Sequence, residues 1–146
     1  MGRARRLQEL AGLLPFAGLS LRELTQIDRV ATHMRVEAGT VLVREGTIGR
    51  QAFLIVNGAV EIVTGDPERR VAVVERGGWL GEMALVSGAH RSATARALTQ
   101  VDALAFDAGA FRWVETRVKR VAEQVDEVAR RRAGELAAVV RGVMPS

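Results

Sequence analysis

The sequence predicts an α+β fold, mainly β, in which a jelly-roll-like body of short strands is flanked by helices at both ends. Three observations predict it. Residues 35–106 alternate short apolar runs with glycine-bearing turns, the texture of a sandwich or barrel. Residues 1–34 carry leucines at helical spacing and a helix-capping pattern. Residues 107–143 carry a valine stripe at helical spacing. With 146 residues, the chain reads as a single domain, 1–146, large enough to bury a core of its own.

Taken in order, Leu7, Leu10, Leu13 and Leu14 set a first helix that Pro15 interrupts. Ser20 followed by Glu23 reads as a capping box. The helix it opens carries Leu21, Leu24, Ile27 and Val30 on one face. Strands are predicted at Met34–Glu37, Thr40–Arg44, Ala52–Val56, Ala59–Thr64, Arg70–Glu75, Ser92–Ala97 and Val101–Phe106. Asn57-Gly58 between two apolar runs predicts a hairpin. So many short strands would leave exposed edges, and jelly-roll closure is the usual remedy. Ala108–Val114 predicts a short helix and Val118–Val143 a longer one. The stripe of the longer helix runs Val118, Val121, Val125, Val128, Leu136, Val139 and Val143, broken by Arg132.

Composition excludes several classes. Apolar residues make up 48% and charged residues 26%, as in soluble globular proteins. No apolar run approaches the ~20 residues of a membrane helix, so no membrane role is expected. The basic start Met1-Gly-Arg-Ala-Arg-Arg leads into a stretch where Glu9 breaks any signal-peptide core, which predicts a cytoplasmic protein. There is no cysteine, which removes disulfides, thiolate catalysis and cysteine-based metal sites. The two histidines, His33 and His90, are too few and too far apart in sequence for a metal cage or a cupin-type metalloenzyme. The net charge of +4 is spread along the chain without a DNA-reading motif.

The informative stretch is Gly78-Trp79-Leu80-Gly81-Glu82-Met83-Ala84-Leu85, a short loop, then His90-Arg91-Ser92-Ala93-Thr94. Gly81 permits an unusual φ or a close backbone approach. Glu82–Leu85 suits one helical turn, whose free N–H groups form an anion site. Arg91 opens the next strand. A carboxylate, an N-terminal turn and an arginine at this spacing suit a ligand bearing both hydroxyl and phosphate groups. Taken singly, Glu82 reads as a helix-end acid and Arg91 as half of a surface ion pair; together they favour a ligand site.

These residues resemble the phosphate-binding cassette of the cyclic-nucleotide-binding domain family, the β-roll of catabolite activator protein, cAMP-dependent kinase regulatory subunits and cyclic-nucleotide-gated channels. The match runs through Gly81, Glu82, Met83, Ala84, Leu85, Arg91, Ser92 and Ala93. It extends to Leu14-Pro15-Phe16, Leu19-Ser20, Ala38-Gly39-Thr40, Glu45-Gly46 and Phe53-Leu54-Ile55-Val56-Asn57-Gly58. It departs at His90, often proline in the family, and at Leu80, often phenylalanine.

The resemblance implies an eight-stranded β-roll over 35–106 with its cassette at 81–93, N-terminal helices at 1–34 and a C-terminal lid helix pair at 107–143. It implies that Glu82 takes a ribose hydroxyl, that Arg91 and the backbone at Gly81, Met83 and Ala84 hold the cyclic phosphate, and that Ser92 adds a hydroxyl contact. Threonine at this position tends to favour cGMP in the family and alanine cAMP, so Ser92 leans to cAMP. Arg132 would stack on the purine from the lid, with Arg130 and Arg131 as competing candidates. The expected ligand is cAMP or cGMP, with no further cofactor and no catalysis. The valine stripe also suits a homodimer through the C-terminal helix. The alternatives are the sensor half of a catabolite-activator-type regulator, for which no recognition helix follows before Ser146, and a degenerate β-roll that binds protein.

Overall fold

The computed structural model describes residues 2–81 and 90–118 together with Val121, Glu123 and Arg130. Helix α1 (Arg3–Ala11) buries Leu7 and Leu10. Pro15 then sits in a 3₁₀ turn, Leu14–Phe16, that buries Phe16 and leaves Leu14 67% exposed. Helix α2 (Leu21–Val30) opens on the expected capping box. Ser20 Oγ accepts from the Glu23 N–H at 3.1 Å and Glu23 Oε1 accepts from the Ser20 N–H at 3.0 Å. Leu24 and Ile27 are buried, but Leu21 is 68% exposed, which corrects the one-face expectation. At 100° per residue, steps of three drift around the helix, so Leu21 points about 120° away from Ile27. It shares the outer side of α2 with Arg22, Thr25 and Arg29.

Eight strands follow: β1 (Thr32–Val36), β2 (Val41–Val43), β3 (Gln51–Asn57), β4 (Val60–Thr64), β5 (Arg69–Val74), β6 (Trp79–Leu80), β7 (Thr94–Ala97) and β8 (Val101–Asp107). They form two four-stranded antiparallel sheets, ordered β1-β8-β3-β6 and β2-β7-β4-β5. This is the β-roll that the sequence predicts. The two-residue strand β6 is too short to stand out as an apolar run.

Asn57-Gly58 does not close a hairpin. β3 and β4 lie in different sheets, and the turn carries the chain from one sheet to the other. Gly58 has φ +99, and a Cβ there would collide with the Gln100 carbonyl. Its fit is against the Thr99–Gln100 turn, where Thr99 Oγ1 accepts from the Ala59 N–H at 3.1 Å. The dipeptide requires a left-handed turn; tertiary packing decides which strand comes next.

The central strands β3 and β8 are buried on both faces. Phe53 and Ile55 face the interior of the roll with Leu80, Ala103 and Ala105. Ala52, Leu54 and Val56 face the helices with Trp79, Leu104 and Phe106. Two hydrophobic layers therefore share one sheet, which explains why these strands read as continuous apolar runs rather than alternating ones. Helix α3 (Ala108–Arg117) is capped by Asp107, whose Oδ1 accepts from the Ala110 N–H at 2.7 Å, and it buries Phe111 and Val114. Val118 and Val121, the first two positions of the valine stripe, are buried in the same helical layer, so they pack within the chain. Apart from Glu123 and Arg130, the rest of the predicted helix, Arg132 included, lies outside the described residues. Among the described residues no helix is long and apolar enough to cross a membrane.

Asp28 ties the helices to the roll. From α2 it accepts from Arg6 of α1 at 3.4 Å and meets His33 Nε2 of β1 at 2.8 Å. Burial alone would raise its carboxyl pKa; the bonds from His33 and Arg6 outweigh this and hold it below its ordinary value. A depressed folded value means the contribution to stability is full above the ordinary carboxylate range and is lost as pH falls through the lowered value. Asp28→Asn is expected to cost about 1–2 kcal/mol at neutral pH. It should also flatten the acid limb of the stability curve, measured by urea denaturation from pH 7 to pH 3. An unchanged acid limb would remove this role.

Candidate functional site

Three segments of the roll converge on Arg91: the end of β6, the start of β3 and the turn after β2. β6 ends at Leu80 and the chain turns at Gly81, with φ +77. A side chain at Gly81 would overlap Nη1 of Arg91 and come within 2.9 Å of the Gln51 carbonyl. Glycine is thus required twice, once by its left-handed backbone and once because a guanidinium occupies the space a Cβ would take.

Arg91 is 8% exposed. Burying a charged side chain is costly unless it is held by polar groups. Its Nη2 donates to the Gln51 carbonyl at 2.9 Å. Its backbone is gripped on both sides: the Arg91 N–H donates to the Thr47 carbonyl at 2.7 Å, and the Gly46 N–H donates to the Arg91 carbonyl at 2.8 Å. His90 and Ile48 continue this pairing as a β-bridge. Among the described residues, Arg91 is the charged side chain that the fold buries.

Ser92 follows, exposed, with its carbonyl 3.3 Å from Thr64 Oγ1. Thr94 opens β7, and its Oγ1 accepts from the Glu45 N–H at 3.0 Å. Behind Gly81, Trp79 is 1% exposed. Its ring meets Phe106 at 5.7 Å and the edge of Phe111 on α3 at 5.4 Å. Packing there gives Trp79 a direct contact from the strand before the site to the C-terminal helix. Trp113 is half-buried on α3 with Arg117 4.6 Å above its ring.

Of the candidate site residues, the structure brings Gly81, Arg91 and Ser92 to one corner of the roll. Glu82, Met83, Ala84 and Arg132 lie outside the described residues. The partners of Arg91 carried no signal in the sequence, because Gln51, Thr47 and Gly46 act through backbone groups that any residue supplies. Glu45-Gly46 stood out only as part of the resemblance, without a reason for its carboxylate. The corner is chemically a buried cation set into a glycine notch, a group suited to pairing with an anion.

The chain matches the family model of the cyclic nucleotide-binding domain over residues 33–116. It is 35% identical over 130 residues to a cyclic nucleotide-gated potassium channel of Rhizobium etli, covering 89% of this chain and 36% of the channel. Among solved structures, the catabolite activator protein of Thermus thermophilus superposes with a TM-score of 0.71 at 25% identity. That alignment covers 87% of this chain and 61% of the other. The regulatory subunit of a cAMP-independent protein kinase A from Trypanosoma brucei superposes with a TM-score of 0.73 at 23% identity, over 85% of this chain and 48% of the other.

The notch makes a prediction that needs no ligand. Gly81→Ala must strain a left-handed backbone and displace the Arg91 guanidinium. It is expected to lower stability by about 1–3 kcal/mol, read from the urea midpoint at unchanged slope. A neutral substitution would show that the guanidinium does not occupy this space.

Proposed function

Because the chain belongs to the cyclic nucleotide-binding domain family, we propose that it binds a cyclic purine nucleotide at the Gly81–Ser92 corner, cAMP in preference to cGMP. In this reading it is a cytoplasmic, non-catalytic sensor, and 1–146 works as one domain. The observation that carries the reading is the buried Arg91 beside Gly81. Burying a guanidinium in the roll is worth its desolvation where an anion is to be recognised.

Each residue then has a role. Arg91 supplies a charge-assisted contact to the cyclic phosphate. Gly81 lets the phosphate approach the backbone, and Met83 and Ala84 add N–H groups to it. Glu82 accepts from the ribose 2′-hydroxyl. Ser92 adds a hydroxyl to the phosphate or to the base, and its size between alanine and threonine underlies the lean to cAMP. Arg132 covers the purine face as part of the lid. Binding energy is the whole function, with no bond broken.

The output is a population shift between arrangements of the C-terminal helices. Support comes from the packing of Trp79, two residues before Gly81, against Phe111 of α3. A movement at the corner reaches α3 through that contact. The protein or domain that reads the movement is a separate question, since the chain spans 36% of the Rhizobium etli channel.

Isothermal titration of nucleotide-stripped protein with cAMP and cGMP tests the reading. The expected result is one site per chain, with the lower Kd for cAMP. Arg91→Ala should weaken binding by about ten- to a hundredfold, and Ser92→Ala by much less. Equal affinity in wild type and Arg91→Ala would refute the phosphate assignment, and a lower Kd for cGMP would reverse the preference.

A further inference from the structure

Building on the proposed nucleotide site, we infer that Glu45 is a positioning residue for it: its carboxylate fastens the turn that holds Arg91. Glu45 directly follows Arg44 at the end of the β2 region, and nothing in the proposed chemistry uses it. Its Oε1 accepts from the Gly65 N–H at 3.3 Å and from the Thr64 hydroxyl. These two donors are the last residue of β4 and the first of the turn after it, so the side chain pins the 45–47 turn against the end of β4. The backbone of the pinned turn does the holding. Glu45 N–H donates to Thr94 Oγ1 at 3.0 Å, Gly46 N–H donates to the Arg91 carbonyl at 2.8 Å, and the Thr47 carbonyl accepts from the Arg91 N–H at 2.7 Å.

The Thr64 hydroxyl has one proton and two acceptors within reach, the Glu45 carboxylate and the Ser92 carbonyl at 3.3 Å. The charged acceptor takes the larger share, and the Ser92 carbonyl receives the remainder. Glu45 therefore sets both the place of the turn and how strongly Thr64 draws on the Ser92 peptide. Arg91 and Ser92 are adjacent, so a small displacement of this peptide moves both groups that would meet the phosphate.

The test uses two readouts on the intact chain. In ligand-free protein, Glu45→Ala should speed amide hydrogen exchange at Arg91 and Gly46 by roughly tenfold, while core amides of β3 and β8 stay as in wild type. The same variant should weaken cAMP binding by roughly five- to tenfold. Glu45→Gln keeps an acceptor for both donors and should recover most of each change, whereas Thr64→Val should move both readouts in the direction of Glu45→Ala. Unchanged exchange at Arg91, or faster exchange with unchanged affinity, would overturn the inference and leave the nucleotide reading standing. Failure of the wild type to bind either nucleotide overturns that reading first, and the inference with it.

Discussion

The structure around the site depends on one constraint, the burial of a guanidinium in a notch that only glycine can provide. Arg91 occupies the space where a side chain at Gly81 would be, and its Nη2 reaches the carbonyl that begins β3. Both backbone groups of Arg91 are committed to the 46–47 turn. Desolvating a cation is unfavourable, and the directed hydrogen bond from Nη2 to the Gln51 carbonyl offsets part of this. That bond fixes direction as well as position, because hydrogen bonds are angular and van der Waals contacts are not. A charge held this way is pre-organised for an anion, so little rotamer entropy remains to be lost on binding.

The notch inherits its position from the two-faced sheet behind it. Neighbouring residues on β6 serve different layers, Leu80 in the interior of the roll and Trp79 against the helices. In register, Leu80 faces Phe53 and Trp79 faces Leu54, while Leu54 in turn faces Leu104. A shift of β6 by one residue would exchange the two layers. The short strand is therefore locked by packing on both sides, and Gly81 is delivered at its end in a defined place. The same sheet carries β8 directly into α3, so the helix that would read the site and the strand that supports it are one continuous segment.

Much of this was legible in the sequence, and the limits have physical causes. The Ser20–Glu23 capping box was readable because both partners lie within one turn, and Pro15 marked its break for a local reason too. Glu82 and Arg91 were readable as a pair from their spacing, and Gly81 as a position needing an unusual φ or a close backbone approach. The Asn57-Gly58 turn was recognised, but its hairpin was not, since a left-handed turn fits a sheet-to-sheet corner as well as a two-strand loop. Leu21 was assigned to the buried face because repeated steps of three look periodic over short distances while drifting on a real helix. The Gln51, Thr47 and Gly46 contacts were invisible because backbone groups are common to every residue. The Asp28 junction was invisible for another reason: it joins Arg6, Asp28 and His33 across three elements whose relative placement only the tertiary fold decides.

The two kinds of contact around the corner divide the labour of a sensor. Toward the ligand side, Arg91 is fixed by directional bonds to Thr47, Gly46 and Gln51. Toward the helices, the coupling is apolar, with Trp79 meeting Phe111 edge-on and Phe106 at a tilt of 49°. Apolar contacts tolerate sliding at small cost, since burial is not directional. A ligand can shift the helices only by the difference in its affinity for their arrangements. Under the proposed function, the stiff element would hold the ligand and the compliant element would carry the motion. The two ends of α3 also differ. Asp107 caps the first turn of α3 and anchors it to β8, whereas at the other end Val118 leaves helical geometry, with φ −119 and ψ 92, while its side chain stays buried. Phe111 lies one turn from that cap, where α3 meets Trp79.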